Sequence, residues 1–201
     1  MTTITNINQL DMDGIYSYAD YLLWKFEERV ELIKGKIFKM SPEPSRRHQE
    51  VSGNLFGEIH NVFKGHKCKL YAAPFDVRLP MLASSPLERT VGEDKILTVV
   101  QPDLCVVCDL NKLDEKGCIG APDLIIEILS PSNSKKELKN KFDLYEESGV
   151  KEYWIVYPNE ENLYINVLEN GKYKTSRPII DGYVTSIVFP DLKIHTSDIF
   201  R

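Results

Sequence analysis

Residues 124–129 read Leu-Ile-Ile-Glu-Ile-Leu, a glutamate set inside an aliphatic run. A strand of that composition is buried on both faces. The Glu127 carboxylate is then held away from water, which is expensive unless it is paired or binds a cation. The residues that follow narrow the fold further. After Ser130-Pro131-Ser132, Ser134 and Glu137 have the S-x-x-E spacing of a capping box. Gly149 stands where a C-terminal cap belongs. Glu152 to Tyr157 reads as a second buried strand, and Pro158-Asn159 begins a turn. The segment is a β-α-β unit with a charge inside its first strand.

Upstream, Ser17 to Glu28 reads as a short helix, with Tyr18, Tyr21, Leu22 and Lys25 at helical spacing. Arg29 to Ile33 and Lys36 to Met40 flank Lys34-Gly35 as a β-hairpin. Ser41 to Ser45 is a Pro-rich connection. A second helix runs from Arg46 to Phe63 on the apolar stripe Val51, Leu55, Ile59 and Phe63, and Gly65 closes it. Strands are expected at Cys68 to Ala72, Phe75 to Leu79, Val99 to Val107 and Asp123 to Leu129. Residues 80 to 95 read as a long mobile loop, and 110 to 122 as a connection rich in Gly and charge. Leu163 to Leu168, Lys172 to Thr175 and Val184 to Val188 read as strands, with turns at Asn170-Gly171 and Asp181-Gly182. The expected fold class is α/β in the α+β sense: a mixed β-sheet flanked by helices. One domain over 1–201 is expected, with a core of about 17–157 and a β-rich extension over 158–201.

Composition excludes several classes. The first 14 residues have neither a basic nor an apolar signal region. No apolar run approaches the roughly 18 residues of a membrane helix. The expectation is a cytoplasmic protein with no membrane partner. Four cysteines, Cys68, Cys105, Cys108 and Cys118, are too few and too oddly placed for a disulfide framework. Within a strand, Cys105 and Cys108 point to opposite faces and share no metal. Buried thiols are expected at all four. A net charge of −5 gives no global nucleic-acid footprint. Local basic clusters do occur: Arg46, Arg47 and His48; His60, Lys64, His66, Lys67 and Lys69; Lys135, Lys136 and Lys139.

Asp103 opens the apolar run Leu-Cys-Val-Val after Gln101-Pro102. Two carboxylates from adjacent strands, Asp103 and Glu127, are how a protein builds a site for a hard cation such as Mg²⁺. Glu127 lies roughly 10 Å before its strand ends, at about 3.3 Å per residue. If the helix packs back along the strand, Lys141 lies roughly 10 Å into it, at about 1.5 Å per residue. Leu138, Lys141, Phe142 and Tyr145 form the inward stripe, so Lys141 comes level with Glu127. Plainer roles exist for each residue. Glu127 and Lys141 can be a structural ion pair, Asp103 a strand-entry turn, and Lys141 a snorkelling surface lysine. Asp123, also preceded by proline, competes with Asp103, but even spacing puts it about 13 Å from Glu127. Tyr145 and Tyr153 read as core residues. Ser130 and Ser132 lack a G-x-S-x-G context, which argues against a hydrolase triad.

The run PDLIIEILSPSNSKKELKNKFDLYEESGVKEYWIVYP, together with RVELIKGK, MSPEPSRRHQEV, residues 101–109 and the final DIF, resembles the Uma-two family. That family is grouped with restriction endonucleases of the PD-(D/E)xK nuclease superfamily. The resemblance implies a restriction-endonuclease-like core with Asp103 as the acid of the PD motif. It makes Glu127 the acid of the E-x-K motif, with the Ile128 carbonyl as an extra metal ligand. Position 129 is Leu where the pattern has lysine, and Lys141 on the following helix fits as its replacement. Glu31 resembles the additional acid near the start of this fold, although a strand glutamate is often solvent-facing. His48 matches the histidine that opens the family's second helix, where a phosphate contact or a satisfied helix residue is the plainer role.

The implied activity is Mg²⁺-dependent hydrolysis of DNA phosphodiester bonds, with Mn²⁺ as a substitute metal and a homodimer as the expected assembly. The alternative is a catalytically inactive nuclease-fold protein that binds nucleic acid or a protein partner. A third is a non-nuclease enzyme on the same scaffold.

Overall fold

Every residue of the strand Leu124–Ile128 is buried, as a central strand covered on both faces requires. The computed structural model describes residues 3–40, 45–80, 92–131 and 134–201. In chain order these form α1 (Tyr18–Tyr21), β1 (Val30–Ile33), β2 (Lys36–Lys39), α2 (Arg46–Phe63), β3 (Lys69–Ala72), β4 (Val77–Arg78), β5 (Val99–Val100) and β6 (Leu104–Val107). There follow β7 (Leu113–Asp114), β8 (Gly117–Ile119), β9 (Leu124–Ile128), α3 (Lys135–Ser148), β10 (Glu152–Tyr157), β11 (Asn162–Glu169), β12 (Lys172–Thr175), β13 (Tyr183–Thr185), β14 (Lys193–His195) and α4 (Thr196–Phe200).

The central sheet has the order β12-β11-β10-β9-β6-β3. β9 and β10 are parallel, with Glu127 opposite Ile155, and α3 makes the crossover that parallel neighbours need. The other pairs are antiparallel. α2 covers one face, packing Val51, Leu55 and Ile59 against Leu104, Ile126 and Trp154. Each such fully buried aliphatic side chain contributes roughly 1.5–3 kcal/mol. The other face is covered by α3 and a second sheet of order β2-β1-β5-β4-β8-β7. There Leu144 and Tyr145 meet Val77, Val100, Ile125 and Tyr153. This is the mixed-sheet α+β fold expected from the sequence.

Local signals act as expected. Lys34 (φ 53°) and Gly35 (φ 79°) make the tight turn between β1 and β2. Ser134 accepts the Glu137 N–H at the start of α3, and Gly149 closes it in the left-handed region at φ 80°.

Several expectations are corrected. The helix read over Ser17 to Glu28 ends at Tyr21, because Ile4 captures the chain beyond it. Leu23 accepts the Ile4 N–H, and Ile4 accepts the Lys25 N–H at 2.7 Å. Val99 to Val107 is not one strand. Val99–Val100 belongs to the second sheet and Leu104–Val107 to the central one, since Pro102 brings no N–H to a ladder. The Gly-rich connection over 110–122 contains the β7-β8 hairpin. Gly117 is required there: at φ 129°, a Cβ would sit 2.2 Å from the Asp76 carbonyl oxygen. Val184 to Val188 shortens to β13, because the Ile187 and Val188 N–H groups donate to buried Glu152 instead of a ladder. β11 and β12 extend the central sheet, and Leu163, Val184, Leu192 and Ile199 join the core under α2. β14 and α4 were not anticipated.

Cys68 and Cys108 are joined by a disulfide, not buried as separate thiols. Lys69 lies opposite Val107 in the β3-β6 ladder, so antiparallel register brings the two cysteines together one step further on. Cys105 and Cys118 are buried free thiols. The long loop expected at 80–95 and the Pro-rich connection at 41–45 fall mostly outside the described residues. Among the described residues, no helix is long and apolar enough to cross a membrane.

Candidate active site

The site forms where the chain crosses between sheets. Gln101-Pro102-Asp103 links β5 to β6, so Asp103 stands at the edge of the central sheet. Leu104 faces Ile126 in the β6-β9 ladder, and one step on Asp103 faces Glu127 on the same side of the sheet. Asp103 Oδ2 accepts the Ile128 N–H at 2.7 Å. Glu31 reaches in from β1, in the other sheet. Lys141 descends from α3, and His48 approaches from α2.

Lys141 Nζ lies 2.9 Å from Glu127 Oε1 and 3.2 Å from Glu31 Oε1. All three residues are buried. Tyr145, one turn along α3, donates its hydroxyl to Glu127 Oε1 at 2.6 Å. The Gln101 N–H donates to Glu31 Oε1 at 2.9 Å. Protein donors therefore converge on one oxygen of each glutamate. Among the described residues, the second oxygen of each receives none. His48 Nε2 lies 3.3 Å from Asp103 Oδ1. Its Nδ1 is buried without a partner among the described residues, as is the Tyr153 hydroxyl.

The charge balance is uneven: three carboxylates surround one lysine ammonium. Burial pushes Glu127 up to about 7, with Asp103 and Glu31 adding to the rise and Lys141 and Tyr145 opposing it. Burial alone would lower Lys141. The facing carboxylates outweigh it and hold the amine above the usual lysine range. Burial likewise pulls His48 down, but the bond to Asp103 leaves it raised overall.

Glu31, His48, Asp103, Glu127, Ile128 and Lys141 line one cavity of about 430 Å³, bounded also by Arg29, Ser52, Ala73, Pro131 and Tyr153. The structure thus brings together all six residues singled out from the sequence: Asp103, Glu127, Lys141, Glu31, His48 and Ile128. Glu31 is not solvent-facing, and Lys141 is not a snorkelling surface lysine. Asp123 lies elsewhere: at the start of β9 it accepts the Cys108 N–H and pairs with Lys151. Lys135, Lys136 and Lys139 are exposed.

Three contributors were missed. Tyr145 reads as core from its apolar stripe, but its position four residues after Lys141 was a usable signal. Gln101 and Arg29 gave none, since the Arg29–Gln101 and Gln101–Glu31 contacts join residues 70 or more apart in sequence. Among the described residues, no three His, Cys, Asp or Glu side chains form a ready metal cluster. The oxygen donors at the site are the Asp103, Glu127 and Glu31 carboxylates and the Ile128 carbonyl. Two carboxylates are a usual complement for Mg²⁺, which keeps several waters.

Fold and site together define an α+β chain with an acidic, lysine-bridged cavity at the meeting of two sheets. The fold is shared with a "putative nuclease" from Anabaena variabilis ATCC 29413. The match has a TM-score of 0.68 and 21% identity, and covers 92% of this chain and 97% of that one. Residues 18–196 match the Uma2 family, described as "putative restriction endonuclease"; the chain belongs to that family. An uncharacterized protein of Synechocystis sp. (strain PCC 6803) is 28% identical over 131 residues. That alignment covers 64% of this chain and 61% of the relative, so the chain spans under two thirds of the relative's length.

Proposed function

We propose that the chain is a Mg²⁺-dependent endonuclease that hydrolyses DNA phosphodiester bonds at this cavity. The observation that carries the reading is Lys141, shared by Glu31 and Glu127 beside Asp103 in an open cavity. A structural ion pair needs one acid. Three acids with one ammonium leave an excess of negative charge that suits a divalent cation.

Asp103, Glu127 and the Ile128 carbonyl would hold Mg²⁺, with Mn²⁺ as a substitute. When bound, the cation would polarise the scissile phosphate and lower the pKa of a coordinated water. Lys141 and Tyr145 keep Glu127 oriented and favour its ionised form. Glu31 keeps Lys141 in place from the opposite sheet. His48 sets the Asp103 carboxylate. The Tyr153 hydroxyl, without a partner among the described residues, lines the cavity and offers a donor to a water or a phosphate oxygen. Cleavage of both strands would take two copies of the chain, one site for each strand.

The test is plasmid cleavage in Mg²⁺ and Mn²⁺ with the parent, Asp103→Asn and Glu127→Gln. Activity should vanish in EDTA and fall at least about a hundredfold in either variant, the equivalent of several kcal/mol of lost charge stabilisation. Equal cleavage by all three proteins would refute the assignment. Salt-sensitive binding without cleavage would favour an inactive nucleic-acid-binding protein.

A further inference from the structure

We propose that Arg29 contacts a substrate phosphate at this cavity, an inference that rests on the nuclease reading above. Three basic side chains line the cavity: Arg29, His48 and Lys141. Lys141 is occupied by two glutamates and His48 by Asp103. Arg29 comes within ion-pair distance of no carboxylate among the described residues. Among the described residues it is the basic side chain of the cavity wall without an ion-pair partner.

The guanidinium is nevertheless held in place. Its Nη2 donates to Gln101 Oε1 at 2.8 Å. The Gln101 amide is fixed in turn: its Nε2 donates to Asp76 Oδ1 at 2.8 Å and lies 3.4 Å from the Tyr21 hydroxyl. With that nitrogen engaged, the amide oxygen faces Arg29. The Gln101 backbone N–H meanwhile holds Glu31. One residue therefore positions both the carboxylate at the cavity centre and the guanidinium at its wall. A neutral partner such as an amide orients arginine without cancelling its charge. Most of the guanidinium's five donors stay open to a planar, bidentate anion, and phosphate is that kind of ligand. Arg29 is also exposed, so a nucleic-acid backbone can reach it. The acids alone would repel a phosphodiester, and Arg29 supplies the local attraction that a chain of net charge −5 lacks overall.

The experiment is fluorescence anisotropy of a labelled DNA duplex with the full chain in Ca²⁺, repeated across a salt series. Arg29→Ala should weaken binding about tenfold, the scale of one charged hydrogen-bond contact. It should also lower the slope of log affinity against log salt by about one. Arg29→Lys should keep the slope and recover only part of the affinity. Equal affinity and slope for parent and Arg29→Ala would overturn the proposal, as would a parent that binds no duplex. The two readings separate cleanly. Lost binding in Arg29→Ala, with a parent inert in Mg²⁺, leaves the phosphate contact standing and removes hydrolysis. Unchanged binding, with cleavage that needs Asp103, does the reverse.

Discussion

Asp103 Oδ2 and the backbone N–H of Ile128 lie 2.7 Å apart, tying the residue at the sheet crossing to the end of the strand that carries Glu127. The bond gives Asp103 a structural role beside its proposed chemical one, and different substitutions separate the two.

Asp103→Ala leaves the Ile128 N–H without its acceptor, so urea denaturation should show a loss of about 1–3 kcal/mol. Asp103→Asn keeps an acceptor and should cost under about 1 kcal/mol. DNA cleavage should be lost in both. An Asn variant as unstable as the Ala variant would show that the charge, and not the hydrogen bond, holds the crossing.

Lys141→Met removes the ammonium shared by Glu31 and Glu127 and strands two buried carboxylates. A loss of about 3–5 kcal/mol is expected, since breaking a buried pair from one side leaves an uncompensated charge. Replacing Glu31 and Glu127 by Gln in the same chain should recover much of it. Chemical denaturation of the single and triple variants tests this. A loss below about 1 kcal/mol would contradict the buried geometry.

Glu127 also sets a pH dependence. A carboxyl group raised in the fold favours folding in its protonated form. That contribution is full below the ordinary value of 4.5 and is lost as pH rises through about 7. Lys141 stays charged across the whole window, because its amine is held above the usual lysine range. In metal-free buffer the parent should therefore lose stability between pH 4.5 and 7 relative to Glu127→Gln. Parallel pH profiles for the two proteins would show that Glu127 is not raised.

Of the four cysteines, Cys105 and Cys118 are free and Cys68 and Cys108 are bonded. Thiol titration of the denatured, unreduced protein should therefore count two groups, rising to four after reduction. Closing a loop across 40 residues of sequence should make Cys108→Ser about 2–4 kcal/mol less stable than the parent under oxidising conditions. Four thiols before reduction would rule out the bond.

What was legible in the sequence is what near neighbours encode. The stripe Val51, Leu55, Ile59 and Phe63 declares α2. Ser134 with Glu137 starts α3 and Gly149 ends it, while Lys34-Gly35 and Asn170-Gly171 turn two hairpins. The meeting of Glu127 with Lys141 belongs here too: a short strand, a tight turn and a helix fix their relative heights within 14 residues.

Tertiary structure decided the rest. Val99–Val100 and Leu104–Val107 have the same apolar character, and only strand pairing assigns them to different sheets. Glu152 reads as one more strand residue, yet it gathers the Trp154 indole, the Ser186 hydroxyl and two backbone N–H groups from a segment more than 30 residues away. Gln101 and Arg29 acquire their meaning only when β1 comes to lie beside β5. Periodicity, caps and turns are written by adjacent residues because those residues share a few backbone angles. Partners across sheets are chosen by how whole faces pack and which buried polar groups must be satisfied, and no short stretch of chain carries that information.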